Sequence, residues 1–403
     1  MAPRLAPVLL AAALAGSLAA ARRLTVDETI ALYGFTPLPA EAPPLRWKAA
    51  AARAAAGAAA SLRPQLATLR AAGAARGLLM GAESSLVYFD DPAFQPALYA
   101  QYDLTEPENE CKPDWISPVR GEFLTSNCSY TIAQMRARGG GRARACCVVW
   151  GAMAQPPWLA HGAWNASTLA PVMAELMAGI VGADGVRGNV LAWDVVNEPI
   201  CDDGHCAADN SSVFKPNTWW PTLGNGYVEA ALRLARAADP DALLFINEYG
   251  AEDMGAKSDR MYGVVRDLKA RGVPLDGVGL QAHSSIHGYA NATQVAQNIA
   301  RLGALGLQVH VTELDVECPP KYCNASDPDD PGFATQARIY GDLLEACLNN
   351  TGVCTAFSTW GFTDRYSWTN QWCLGSDCQS LPFDRNYSAK SAFFEMLAVL
   401  NRQ

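Results

Sequence analysis

The sequence is short of several features, and each shortage removes a class of protein. No run of five or more basic residues occurs and the 403 residues carry a net charge of −9, so nucleic acid and anionic membrane surfaces are excluded as expected partners. Neither G-x-G-x-x-G nor G-x-x-x-x-G-K-[ST] is present, which removes the usual loops that cradle nucleotide phosphates. G-x-S-x-G is also missing, and with it the nucleophile elbow of serine hydrolases. Beyond residue 21 no apolar run is long enough to span a bilayer. Histidines number only five, and "CDDGHC", Cys201 to Cys206, has the spacing of a small disulfide loop rather than of a zinc site. No metal or cofactor is expected.

What is present describes a large, exported, globular chain. Half of the residues are hydrophobic and 18% are charged, ample for an extensive core. Residues 1 to 21, "MAPRLAPVLLAAALAGSLAAA", pair an early Arg4 with an apolar stretch ending in small residues, the form of a secretory signal peptide, so the mature chain is expected to begin near Arg22. Twelve cysteines include close pairs, Cys201 with Cys206, Cys318 with Cys323, Cys347 with Cys354 and Cys373 with Cys378, suited to small disulfide loops in an oxidising compartment. N-x-S/T occurs at Asn127, Asn165, Asn210, Asn291, Asn324, Asn349 and Asn386. A secreted, glycosylated monomer is expected.

Residues 22 to 75 are expected to form a Pro-rich lead-in followed by an alanine-rich helical segment broken near Pro64. From residue 76 to 403 the rhythm changes to short apolar segments separated by helix-compatible stretches. The candidate strands are 77 to 82, 100 to 105, 144 to 150, 189 to 196, 242 to 247, 276 to 283, 306 to 312 and 355 to 361. Such alternation implies a parallel sheet, and eight units fit an α/β fold of the (β/α)8 TIM-barrel type, which takes about 250 residues or more. An open, doubly wound sheet is the alternative, but it would ordinarily carry a Gly-rich nucleotide loop.

In such barrels chemistry gathers at the carboxyl ends of the strands. "NVLAWDVVNEPI" delivers Asn197 and Glu198 at the end of the fourth candidate strand, and "VHVTELD" places Glu313 at the end of the seventh. A single Glu past a strand is ordinarily a solvated loop residue; two facing across one barrel mouth are what glycosidic cleavage requires. One must donate a proton to the departing oxygen, and the other must meet positive charge at the anomeric carbon. Gln281 and His283, in "GLQAHSS", end the sixth candidate strand, where a histidine donating to Glu313 would hold it ionised and oriented.

Five motifs in order, "PENE" at 107–110, "WDVVNE", "GLQAH", "TELD" and "WGFTDRYSW" at 360–368, resemble glycoside hydrolase family 10, the retaining endo-β-1,4-xylanases. The resemblance runs from about residue 77 to 396 and implies Glu198 as general acid/base and Glu313 as nucleophile. It also implies that Glu108, Asn109 and Lys112 hold a sugar on the non-reducing side. Trp360 and Trp368 are implied as indoles that wall the reacting sugar, Trp150 is similar to the substrate-binding tryptophan that ends the family's third strand, and xylan is implied as the polymer bound. Two departures stand out. Where the family commonly reads "GHTLVWHSQ", this chain has "ACCVVWGAMAQ", so Cys146 and Gly151 replace two histidines and a weakened grip on the sugar is expected there. "NEP" replaces the commoner "NEA", which keeps a related β-1,4-glucanase or mannanase open, alongside a barrel that binds wall polysaccharide without cutting it.

Overall fold

Residues 67–402 are described by the computed structural model, apart from 138–140, 204–205, 207–211, 326, 328–329 and 374–376. The expected leader, the Pro-rich lead-in, the expected break near Pro64 and the sequon at Asn210 lie outside the described residues. The end of the alanine-rich segment, Leu69–Ala75, is a helix whose N-cap Thr68 accepts from the Ala71 N–H at 3.2 Å.

Nine parallel strands follow: β1 (Leu79–Ser84), β2 (Leu104–Pro107), β3 (Arg142–Trp150), β4 (Ala192–Asn197), β5 (Leu243–Glu248), β6 (Gly277–Leu280), β7 (His283–Ser285), β8 (Gln308–Glu317) and β9 (Cys354–Thr359). Because β6 pairs with β8 and β9 with β1, eight of them close into a ring and the short β7 lies along the mouth end of β8. Helices separate the barrel strands, from Phe94–Gln101 after β1 to Pro331–Leu348 before β9, and Ser391–Asn401 closes the chain. The fold is a (β/α)8 TIM barrel.

The helices form because their apolar residues recur on one side. Tyr227–Ala238 buries Tyr227, Val228, Ala231, Leu232 and Ala235, the stripe expected of a helix lying on a sheet. Each such buried leucine contributes roughly 1.5–3 kcal/mol. Ala166–Ile180 starts at Asn165, whose side chain accepts from the Thr168 N–H at 3.1 Å while the Thr168 hydroxyl accepts from the Asn165 N–H.

Three strand boundaries depart from the sequence expectation. The segment 100–105 is split, because the helix Phe94–Gln101 runs into it and β2 begins only at Leu104. The segment 276–283 breaks at Ala282, whose φ of 63° ends β6 before β7 resumes. The segment 306–312 continues to Glu317, so Glu313 sits within β8 rather than at its end. Its pairing with β9 shifts register between Val311 and Leu314, the kind of irregularity that re-aims a side chain at a barrel rim.

All twelve cysteines are bridged. The four expected pairs form, together with Cys146–Cys147 and a bridge from Cys111 to Cys128, 17 residues apart. Replacing both Cys111 and Cys128 by serine is expected to destabilise the protein by about 3 kcal/mol, the chain-entropy value for a loop of that length. Denaturant titration checks this; an unchanged midpoint would show that the bridge adds nothing.

Candidate active site

Glu198 is placed by the end of β4. Its N–H donates to the Asn247 carbonyl at 2.8 Å, and its φ of 53° puts a non-glycine residue in the left-handed region directly before Pro199. Such a conformation costs of the order of 1–3 kcal/mol and persists where surrounding contacts enforce it. It frees the side chain from the strand's alternation and turns it to a group of donors. Trp150 Nε1 donates to Oε2 at 3.1 Å, while Gln281 Nε2 and Asn197 Nδ2 donate to Oε1 at 3.1 and 3.3 Å.

Glu313 is 6% exposed and is held from two sides. Asn247 Nδ2 donates to its Oε1 at 2.6 Å, and His283 Nε2 lies 3.2 Å from its Oε2. His283 Nδ1 is 2.9 Å from Asp315 Oδ2, which also accepts from Trp368 Nε1 at 2.7 Å. Burial alone depresses the imidazole pKa; the charges and hydrogen bonds of Asp315 and Glu313 outweigh it and hold the value well above the ordinary 6.5. An imidazolium there would present its positive charge to both Asp315 and Glu313.

The two carboxylates lie on strands three steps apart around the ring, β4 to β8, and side-chain amides link them. Asn247 Nδ2 donates to Asn197 Oδ1 at 3.0 Å as well as to Glu313, and Gln281 Nε2 lies 3.4 Å from the same Asn197 oxygen. Thr312 Oγ1 orients Asn247 by donating to its Oδ1 at 2.8 Å. Gly279 leaves the room this requires, since a Cβ there would lie 2.2 Å from Asn247 Oδ1.

The remaining expected residues gather around this pair. Lys112 Nζ lies 5.4 and 5.6 Å from the ring centroids of Trp150 and Trp360 and donates to Asn109 Oδ1 at 3.3 Å. Glu108 accepts from the Tyr88 hydroxyl at 2.9 Å, and Tyr88 stacks on Tyr366 at 4.4 Å. Burial raises the Glu108 pKa despite Tyr88 and Lys112. Glu110, beside it, accepts from Ser85 Oγ and the Leu86 N–H and so fixes the loop that carries Glu108 and Asn109.

Several residues of the site escaped sequence reasoning, notably Asn247, Asp315, Tyr88 and Asn217. "FINEY" repeats the Asn-Glu ending of "VVNEP", a signal that would have drawn attention to Asn247. Its neighbour Glu248 is no rival carboxylate: it is fully buried, accepts from the Ile200 N–H and pairs with Lys257 at 2.9 Å. Burial pushes it up to about 7, with Lys257 opposing.

The two histidine replacements have different fates. Cys146 is buried, with Glu106 and Asp194 as neighbours. Those three bear the donor atoms of a metal site, yet Arg144 already pairs with both carboxylates and Cys146 is bridged to Cys147. Gly151 stands against Asn217: a Cβ on Gly151 would lie 2.2 Å from the Asn217 Cβ. Asn217 accepts from the Trp219 and Trp220 N–H groups, and the adjoining Thr218 donates to Gln155, which donates to the Trp150 carbonyl. The loop after β4 therefore fills the place of the expected second histidine and braces Trp150.

The mouth of this (β/α)8 barrel joins two carboxylates through amides, with Trp150 donating to Glu198 and Trp368 to Asp315, a pair of the kind that glycosidic cleavage requires. The chain belongs to glycosyl hydrolase family 10, whose sequence profile it matches over residues 68–399. It is 31% identical over 303 residues to endo-1,4-beta-xylanase B of Thermotoga neapolitana, covering 75% of this chain and 82% of that one. It is 34% identical over 288 residues to endo-1,4-beta-xylanase C of Phanerodontia chrysosporium, covering 71% and 67%. Among solved structures, xylanase 10B from Thermotoga petrophila RKU-1 in complex with xylobiose superposes with a TM-score of 0.75 at 29% identity, over 84% of this chain and 98% of that one.

The raised His283 pKa sets a sign. Its contribution to stability is full below pH 6.5 and is lost as pH climbs through the raised folded-state value. The melting-temperature advantage over His283→Gln is expected to be largest below pH 6.5 and to shrink above it; a flat difference would refute the pairing. Gly151→Ala is expected to lower activity and stability by displacing Asn217, and Gly151→Ala with Asn217→Gly to cost less than the sum of the two single changes. A double-mutant cycle with coupling above about 0.5 kcal/mol is expected for residues in contact, and simple additivity would exclude the contact.

Proposed function

We propose that this protein is a secreted endo-β-1,4-xylanase that cuts internal bonds of xylan with retention of configuration. Glu313 attacks the anomeric carbon and forms a glycosyl-enzyme ester as the C–O bond to the leaving sugar breaks. Glu198 gives its proton to the departing oxygen. It then takes a proton from the water that attacks the same carbon and releases Glu313. Asn197, through Nδ2, and Gln281 hold Glu198, and His283 holds the nucleophile ionised. Glu108, Asn109 and Lys112 bind the sugar two units toward the non-reducing end, with Trp150, Trp360 and Trp368 around the reacting ring.

The observation that carries this reading is the linked pair itself, each carboxylate with its own donors and one amide, Asn247, reaching from Glu313 to the neighbour of Glu198. The xylanase names of the relatives favour xylan, and bulky indoles beside the reacting ring favour a sugar without a hydroxymethyl arm. A barrel that only binds polysaccharide has no use for two carboxylates so supported. Pro199 alone speaks for a glucanase or mannanase, so those polymers serve as controls.

Export rests on the leader-like residues 1–21, the six bridges and the sequons. Asn165, Asn291, Asn324, Asn349 and Asn386 are exposed, and Asn165 and Asn291 cap helices through Oδ1, which leaves the amide nitrogen out of the capping bond. The enzyme is taken to act as a monomer, without metal or cofactor. No helix among the described residues is long and apolar enough to cross a membrane.

Incubation with xylan, cellulose and mannan, following the first anomer released by NMR, should show cleavage of xylan and a β product. An α product would replace retention by inversion, and faster cleavage of cellulose or mannan would move the specificity. Glu198→Ala should slow polymer hydrolysis by ~10² to 10⁴ while sparing substrates with good leaving groups. A polymer rate like that of the unaltered protein would dismiss the acid/base assignment.

A further inference from the structure

Trp372 is the most exposed aromatic side chain among the described residues, at 61%, and no part of the mechanism above uses it. Its indole meets Trp368 edge-on, with centroids 6.1 Å apart and planes at 87°. Trp368 already belongs to the site, through its bond to Asp315 and its ring 4.9 Å from that of His283. The aromatic side chains beside the His283–Asp315 pair therefore continue from Trp368 to one more, exposed indole.

The chain around Trp372 is fastened. The Trp372 N–H donates to the Thr369 carbonyl at 2.9 Å, and the Cys373–Cys378 bridge begins at the next residue. On the far side of that bridge the Cys378 N–H donates to Asn370 Oδ1 at 2.9 Å, while Asn370 Nδ2 donates to the Asp364 carbonyl at 2.9 Å. A large apolar ring left in water on a tied backbone, continuous with a sugar site, has little backbone freedom left to give up when a ligand arrives.

We propose that Trp372 is a sugar platform that lengthens the cleft, taking the C–H face of a pyranose ring in a β-1,4-xylan chain beyond the unit that lies against Trp368. The proposal rests on the xylanase reading for its ligand and on the geometry of Trp368 and Trp372 for its place.

The test uses the full protein carrying Glu198→Gln to prevent turnover, with Trp372→Ala and Trp372→Phe added, and titrates xylobiose and xylohexaose by calorimetry. Trp372→Ala should raise the Kd of xylohexaose by about two- to tenfold, the worth of one aromatic contact, with a smaller rise for Trp372→Phe. The loss for xylobiose should be smaller than for xylohexaose. With Glu198 restored, the loss on xylan should fall on KM more than on kcat. An unchanged xylohexaose Kd, or an equal loss for both oligosaccharides, would overturn the platform. If the unaltered protein failed to cut xylan while Trp372→Ala still lost xylohexaose affinity, the activity reading would fall and the platform would stand.

Discussion

One buried amide holds the cleft in register. Asn247, fully buried at the end of β5, donates through a single nitrogen to Glu313 on β8 and to Asn197 on β4. Its own oxygen is occupied by Thr312, so the amide cannot flip without losing three contacts at once. Left unpaired at that depth, any of these groups would cost about 1–3 kcal/mol, more for the carboxylate. The spacing between the two carboxylates is thereby set by packed scaffold rather than by mobile loops, which suits chemistry that tolerates little misplacement.

Below this layer the barrel interior is charged. Arg144, fully buried, pairs with Asp194 and Glu106 and lies 2.6 Å from His310 Nδ1, while His310 Nε2 faces Thr355 at 3.0 Å. Burial, aided by Arg144, holds His310 well below its ordinary value, so the ring is neutral and can accept from the guanidinium. Burial pushes Asp194 up to about 6 even against Arg144, with Glu313 adding to the rise. The site's negative charge thus rests on a floor with a cation at its centre. Breaking such a buried set by removing one member is strongly destabilising, because it strands the others.

The fold was legible in the sequence because the alternation of buried strands and amphipathic helices is written in residue type: each of the eight barrel strands overlaps an expected segment, though β2 overlaps its own only at residues 104–105. Glu198 and Glu313 could be singled out because the mouth of a parallel barrel gathers side chains at strand ends, and Trp150, Trp360 and Trp368 only through the family motifs. Illegible were contacts that depend on three-dimensional approach. Asn217 is far from Gly151 in sequence and meets it only because the loop after β4 folds over β3. Glu313 lies inside β8 because β7, a strand of three residues, lengthens the ladder beside it, and so short a segment carries no periodicity of its own. Nor did spacing reveal the Cys111–Cys128 bridge, whose partners are brought together by the packing of the helix Ser126–Ala137 beside the loop after β2.

The bridges have a consequence for how the molecule is made. None joins residues more than 17 apart in the chain, and each closes within one turn of the strand-helix repeat. Each thiol pair therefore needs only its own stretch of chain, packed locally, and no partner from a distant strand. No bridge spans the barrel from one side to the other, so closing the ring is left to strand pairing and side-chain packing.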